Sequence, residues 1–432
     1  MEDSFYDRPL ETLDPARRRE RQDEKLRRLM AELPKNAFYR RKLAADGADP
    51  RAVRSCADLG ALPFTRKSEL LASQEARPPY GDLLTYPLSE YRYLHQTSGT
   101  SGKPLLWLDD EDGWQTWLRC WGHVLRGAGV TAEDVVFCAF SFGPYVAHWS
   151  SLAGARAIGA LTLPGSGMSS LHRLERILEH RVTVLLSTPT YALHLAEVAA
   201  EHGLDLAGSA VRTTIHAGEP GASVPNVKRR IEEVWGARAF DHAGATEVGA
   251  WGFDCGTDVG AVHLNELEFF FEVVDPETGD AVADGARGEL VVTTLGRNGM
   301  PVVRYRTGDL VVRVGEPCAC GRTLARIEGG VLGRADDMLI VRGVNVFPGA
   351  IDNLMRGVPQ VVEYEVEVRR RQALDDLLIR VETAPGEDFE AVAAVLRGGF
   401  RSNLGIRVAF ASVEAGSLPR YELKARRFKR ID

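Results

Sequence analysis

Between about residue 90 and residue 250, short apolar runs alternate with helix-length amphipathic stretches, and no other feature constrains the fold as much. Residues 135–140, 183–186 and 211–216 read as buried strands. Residues 171–180 and 191–202 read as the helices between them. Covered strands joined by helices run parallel, because each crossover returns the chain to the same end of the sheet and shields one face. Upstream, Leu26, Leu29, Met30 and Leu33 fall at i, i+3, i+4 and i+7, the face of a helix expected over 15–33 and ended by Pro34.

After about residue 265 the period changes. Residues 268–274 and 289–295 read as strands, and the first is followed by the turn chemistry of Asp275-Pro276-Glu277-Thr278-Gly279. A hairpin-built, β-rich subdomain follows from that pattern. A last unit holds expected strands at 338–341, 361–368, 377–381 and 408–413 and a helix at 387–403, enough chain for an independent α+β domain. The boundary is set at Gly333-Arg334, giving an N-terminal domain of 1–333 and a C-terminal domain of 334–432. The fold class is α/β: a large N-terminal domain with parallel-rich sheets plus a β-rich subdomain, and a small α+β C-terminal domain. A chain of 432 residues has room for this.

Composition removes several classes. With 60 acidic and 53 basic residues the net charge is −7, which gives no general affinity for nucleic acid. No apolar run approaches the ~20 residues of a membrane span. The start, Met1-Glu2-Asp3-Ser4, has no apolar export signal, and six cysteines do not make a disulfide scaffold. A cytoplasmic protein with reduced thiols is expected, and Cys56, Cys120 and Cys138 read as ordinary buried thiols.

Five segments carry polar chemistry. Thr97-Ser98-Gly99-Thr100-Ser101-Gly102-Lys103 packs hydroxyls, glycines and a lysine together. Such a loop surrounds phosphate oxygens or makes a polar turn, and composition leaves both readings open. It lacks the P-loop spacing. Asp241-His242-Ala243-Gly244-Ala245-Thr246-Glu247 offers a hydroxyl and a carboxylate among small residues; beside a phosphate such a carboxylate works through Mg²⁺. Asp309, after a glycine turn, has the shape of a ribose-diol acceptor. Arg334 stands at the proposed boundary, and Lys424 lies in a basic tail. Taken singly, the last four read more simply as loop, turn, linker and tail. Cys255, His263, Cys318 and Cys320 form a three-thiol, one-imidazole set suited to a closed structural zinc site, or are four reduced residues on neighbouring β loops.

In their joint order the five segments resemble the adenylate-forming superfamily of acyl-CoA synthetases and carrier-protein adenylation domains, most of all its phenylacetate-CoA ligase-like branch. The resemblance extends from Asn36-Ala37-Phe38-Tyr39 to Val341-Arg342-Gly343-Val344-Asn345-Val346-Phe347-Pro348 and on to Lys424. It implies activation of a carboxylate by ATP to an acyl-adenylate, then transfer to a thiol with release of AMP. Thr97, Ser98, Thr100 and Lys103 would then hold phosphates. Gly218, Glu219 and Pro220 would lie along the adenine, with Asp241, His242 and Ala243 continuing the wall. Thr246 would contact the α-phosphate, Glu247 would bind Mg²⁺, and Asp309 with Arg334 would hold the ribose. Lys424 matches the lysine that bridges the attacking carboxylate and the adenylate.

Asp336 matches the hinge about which the C-terminal domain turns between the two half-reactions, bringing the Gly343 loop in for thioester formation. Phe142, Tyr145 and His148, with His216 and Gly244 at the edge, match the acyl pocket, and their aromatic character suits a small aryl acid. Some members of the branch bind zinc at a Cys-x-Cys-Gly-Arg element like Cys318-Ala319-Cys320-Gly321-Arg322. The thiol partner would be coenzyme A or the phosphopantetheine of a carrier protein, and a homodimer fits the resemblance. Relatives carry Ser-Glu-Gly before the C-terminal lysine, where this chain has Tyr421-Glu422-Leu423. Two alternatives accompany the aryl-CoA ligase expectation: a biosynthetic adenylase serving a carrier protein or amine, and a non-catalytic nucleotide-binding protein.

Overall fold

The structure is a computed structural model that describes residues 4–97, 103–140, 143–258, 260–335, 337–341, 344–371, 374–421 and 425–431. Of the sequence-based assignments, Ser98, Thr100, Phe142, Asp336, the Gly343 loop and Lys424 lie outside the described residues.

The main sheet has a parallel half and an antiparallel half. The parallel half runs Leu161–Pro164, Val135–Cys138, Val184–Ser187, Thr213–His216 and Arg238–Ala245, in that spatial order. Its two central strands, Val184–Ser187 and Thr213–His216, are buried at every position, as two covered faces require. Helices Ser170–Glu179, Pro189–Glu201 and Pro225–Trp235 connect the strands. Capping side chains set their starts: Ser169 accepts from the His172 N–H, and Thr188 from the Tyr191 N–H.

The β-rich region is joined to this sheet edge to edge. Arg238–Ala245 turns back into Gly249–Phe253, with Ala243 opposite Gly252. Antiparallel strands continue through Val262–Leu264 and Arg326–Ile327 to Tyr305–Val314, Arg287–Thr294 and Phe269–Val274. Leu26, Leu29, Met30 and Leu33 of the N-terminal helix Pro15–Glu32 and its end are buried in the core that spans both halves. A smaller core, built around Leu185, Tyr191, Ile231 and Trp235, packs the helices on the parallel half.

The C-terminal region has a sheet and a core of its own. Val361–Arg371 and Leu374–Thr383 pair at its centre, and Pro348–Arg356 and Phe389–Leu404 supply Ile351, Met355, Leu396 and Phe400 to the core. Of the described residues, no helix is long and apolar enough to cross a membrane.

Candidate active site

In the parallel half the chain passes from Val135–Cys138 outward to Leu161–Pro164, then returns to the other side of Val135–Cys138. Strand order reverses there, so the loops leaving the carboxyl ends diverge and open a crevice, the usual ligand position in an open α/β sheet. One wall is aromatic. Phe140 is buried, the His148 ring stacks on it at 4.5 Å and 10°, and Tyr145 meets His148 edge-on at 5.8 Å. The Gln96 N–H donates to the Pro144 carbonyl (2.7 Å), tying this wall to the hairpin Tyr91–Gln96/Leu106–Asp110. Thr97 closes the neck of that hairpin's loop: its N–H donates to the Leu105 carbonyl and its Oγ1 accepts from the Leu105 N–H, both at 2.9 Å. Lys103, at the far side, extends into solvent with Nζ 3.2 Å from Glu75.

The last parallel strand and its turn form the floor. Asp241 is buried, accepts from Ser223 Oγ and lies near Asp254; burial first, and Asp254 second, push its carboxyl up to about 6. His242 donates from Nδ1 to the Gly252 carbonyl (2.8 Å), packs on Trp121, and is held neutral by burial, at about 4. After these buried residues the chain surfaces. Ala243, Ala245 and Thr246 are half-buried and Gly244 is exposed, a small-residue edge that a flat ligand can approach closely.

Glu247 turns back inward. Its Oε1 accepts from the Tyr305 hydroxyl at 2.7 Å and lies 3.3 Å from Lys67 Nζ. Burial alone would raise its pKa, but Lys67 and Tyr305 outweigh burial and hold it below the usual range, so it is an anion at neutral pH. The turn itself is fixed from beneath. Arg297, 2% exposed, forks onto both oxygens of Asp109 (2.8 and 2.7 Å) and donates to the Thr246 carbonyl (3.1 Å).

The strand Tyr305–Val314 carries Tyr305 and, four residues on, Asp309. Asp309 pairs in register with Arg334, whose Nη1 lies 3.7 Å from its carboxylate and donates to the Thr307 carbonyl at 3.2 Å. Gly308 between them has φ +80°, a backbone conformation open to glycine, and a Cβ there would have to displace the Arg334 guanidinium from 2.8 Å away. The segment after Thr213–His216 faces the C-terminal region. Glu219 accepts from the Thr190 N–H and, through its other oxygen, from the Ala425 N–H, both at 2.9 Å. Gly218, just before it, has φ +98°, a backbone conformation open to glycine. Pro220 lies against Gly349 of the C-terminal region. His216, expected at a pocket edge, is fully buried at the carboxyl end of its strand. Its ring nitrogens meet Thr214 (2.9 Å) and Ser187 (3.3 Å), and burial keeps it neutral, at about 3.

Cys255, His263, Cys318 and Cys320 meet elsewhere, in the antiparallel half, with their ligand atoms all within 4.8 Å of one another. Cys255 Sγ lies 3.7 Å from Cys318 Sγ, and Cys320 Sγ lies 3.5 Å from His263 Nε2. His263 Nδ1 is 3.3 Å from the Leu324 carbonyl, which orients the ring so that Nε2 faces the thiols. The next residues are anchored by the N-terminus, where buried Arg322 pairs with Glu11.

Two family models match this chain: the AMP-binding enzyme family over residues 29–300, more than half of it, and the AMP-binding enzyme C-terminal domain over 343–430. The chain belongs to the AMP-binding enzyme family. It is 34% identical to the phenylacetate-coenzyme A ligase of Thermus thermophilus over 384 residues, covering 88% of this chain and 84% of that one. With the phenylacetate-coenzyme A ligase of Escherichia coli it shares 32% over 398 residues, covering 90% and 89%. A crystal structure of 2-hydroxyisobutyryl-CoA ligase in the postadenylation state, bound to 2-HIB-AMP, superposes with a TM-score of 0.93 at 30% identity over 98% of this chain and 92% of that one. In the thioesterification state, with 2-HIB-AMP and CoA, the same ligase gives 0.76 at the same identity, over 99% and 93%. At nearly equal identity and coverage, the whole chain superposes more closely on the first of these two structures than on the second.

Several contacts between the large domain and the C-terminal region are hydrogen bonds. Asn226 donates through its N–H and its amide to Asn353 (3.0 and 2.9 Å), Arg230 donates to the Pro359 carbonyl (3.2 Å), and Arg427 to Thr190 Oγ1 (3.3 Å). Sequence reasoning missed Lys67, Asp109, Arg297 and Thr190. Asp109 and Arg297 stand 188 residues apart, and only the folded sheet brings them together. Tyr305 went unnamed as well, and its place four residues before Asp309 on one strand was the signal available.

Proposed function

We propose that this enzyme joins an aryl carboxylic acid to coenzyme A at the expense of ATP. A carboxylate oxygen of the acid attacks the α-phosphorus, the bond to pyrophosphate breaks, and an acyl-adenylate forms. The thiol of coenzyme A then attacks the acyl carbonyl, loses its proton, and AMP leaves. One observation supports the reading: half-buried Thr246 leads into anionic Glu247, whose carboxylate accepts from Tyr305 on the strand that carries Asp309 and its partner Arg334. The phenylacetate-coenzyme A ligase relatives and the Phe140–His148 stack favour an aryl acid.

The roles divide by chemistry. Thr97, Ser98, Thr100 and Lys103 hold phosphate oxygens, so Lys103 exchanges its exposed partner Glu75 for the nucleotide. Asp309 and Arg334 orient the ribose. Gly218, Glu219, Pro220 and Asp241 to Ala243 line the adenine. Thr246 donates to the α-phosphate from a turn that Arg297 holds in place, which lowers the cost of ordering in the transition state. Glu247 would hold Mg²⁺, which neutralises phosphate charge. Lys424 neutralises the charge that develops as the carboxylate meets the phosphorus. Tyr145, His148 and Gly244 border the acyl group, and Asp336 is the hinge at the boundary between 1–333 and 334–432.

Cys255, His263, Cys318 and Cys320 fit a tetrahedral structural zinc ion, which would tie the Cys318–Cys320 loop to the sheet. Metal analysis of purified protein is expected to give one zinc per chain. A stoichiometry near zero, with Cys318→Ser equally stable, removes the zinc assignment.

The ligase reading is tested by following AMP release with phenylacetate, benzoate and a small aliphatic acid. The expected result is release that requires both an aryl acid and coenzyme A. Release driven by a phosphopantetheinylated carrier protein but not by coenzyme A would make the enzyme a biosynthetic adenylase. Nucleotide binding without release under any condition would make it a non-catalytic binder.

A further inference from the structure

Just before Lys424 the chain makes a contact that the assigned roles leave unused. Arg420 is a fork between the two domains. Its Nη2 donates to Glu382 of the C-terminal sheet at 2.7 Å, and its Nε donates to Glu197 at 2.9 Å. Glu197 lies on Pro189–Glu201, a helix of the large domain. Both side chains of the interdomain pair are about one-quarter exposed, so the pair is partly shielded from solvent.

Glu382, 1% exposed, does more than pair with Arg420. Its carboxylate also accepts from the Leu418 N–H and the Gly416 N–H. One buried carboxylate therefore ties the loop 416–420 to the C-terminal sheet, and Arg420 carries that order across to the large domain. On the far side of Lys424, the Ala425 N–H docks on Glu219 and Arg427 reaches Thr190. Thr190 and Glu197 belong to the same helix, seven residues apart, two turns along one face. That helix is a rail on which the lysine-bearing segment is seated at both ends.

We infer that Glu197, through Arg420, is a positioning residue for adenylation: it seats the segment that carries Lys424 and has no part in thioester formation. The inference rests on the ligase reading above. If the C-terminal domain turns for the second half-reaction, the Glu197–Arg420 contact breaks with the other interdomain contacts, while Arg420–Glu382, internal to the domain, survives. Glu197 touches none of the residues assigned to nucleotide or acid, so its loss acts on one half-reaction alone.

The experiment compares the two half-reactions in Glu197→Gln. Acid-dependent exchange of pyrophosphate into ATP is expected to fall about fivefold, the scale of one partly exposed ion pair, while thioester formation from supplied acyl-adenylate and coenzyme A holds or rises. Arg420→Lys, which keeps the charge and loses the fork, is expected to fall between parent and Glu197→Gln. Combining Glu197→Gln with Arg420→Gln should cost less than the sum of the two single losses, because both remove one contact. Unchanged exchange in Glu197→Gln, equal loss in both half-reactions, or strict additivity would overturn the inference. If the parent protein itself shows no exchange with any aryl acid, the ligase reading fails and the inference falls with it.

Discussion

The two walls of the crevice are held by different kinds of contact. On the large-domain side the site is anchored from the interior: Arg297 and Asp109 form a buried fork under Thr246, and buried Tyr305, with part-exposed Lys67, holds Glu247. On the C-terminal side many of the contacts are hydrogen bonds and part-exposed ion pairs, from Asn226–Asn353 to Arg420–Glu197, beside a few such as Pro220–Gly349 and Arg287 over Phe347. A buried, saturated network resists rearrangement, whereas a partly hydrated polar interface separates at low cost because water replaces its partners. On the proposed reading, the large domain is the template and the small domain the lid seated on it.

Three substitutions would break or sharpen that contrast. The largest effect is expected at Arg297→Ala, which leaves Asp109 buried without its partner and frees the Thr246 turn. A loss of about 3–5 kcal/mol in urea unfolding is expected. A loss under ~1 kcal/mol would mean the template is not anchored there.

Next is Asp241→Asn, with the opposite sign. Folding raises the Asp241 pKa from 3.8 to about 6, so the native state binds a proton more tightly than the unfolded state. The penalty is absent below pH ~4, grows as pH rises through the folded value, and is complete above it, at up to about 3 kcal/mol. The variant should therefore be more stable than the parent at pH 8 and equal to it near pH 4, read from unfolding curves at both pH values. A parent that gains on the variant as pH rises would contradict the assignment.

The smallest effect is expected at Asn226→Ala in the interface, under about 1 kcal/mol in stability. Its signature is kinetic: pyrophosphate exchange falls while thioester formation from supplied adenylate does not. Equal loss in both would make the interface structural rather than reversible.

Much of the template was legible from residues 135–250, because strands covered on both faces read as apolar runs wherever they fall. The helix expected at 191–202 begins at Pro189, where Thr188 caps the chain and proline suits the first helical position; the signal was there in the dipeptide. The joining of the parallel and antiparallel halves was not legible. It depends on the short strands Gly249–Phe253 and Val262–Leu264, both buried throughout and therefore without alternation. At the site, the small-residue edge and Glu247 could be named from residue type. Arg297 under Thr246 could not, since nothing local distinguishes a buried arginine from a surface one. The Cys/His set was legible because few residue types ligate metal, and the fold brings all four together. His216, expected at the site from its place beside a glycine-rich segment, has its ring buried in the sheet against Thr214 and Ser187.

The central claim is that template and lid together bring a carboxylate to the α-phosphorus of ATP. The most direct test is isotopic exchange of pyrophosphate into ATP, without coenzyme A, in the parent and in Lys424→Ala. Exchange that depends on an aryl acid and drops by about a hundredfold or more in Lys424→Ala, with thioester formation from supplied adenylate retained, is the predicted result. Exchange that ignores the acid, or that survives intact without the lysine, would contradict the account.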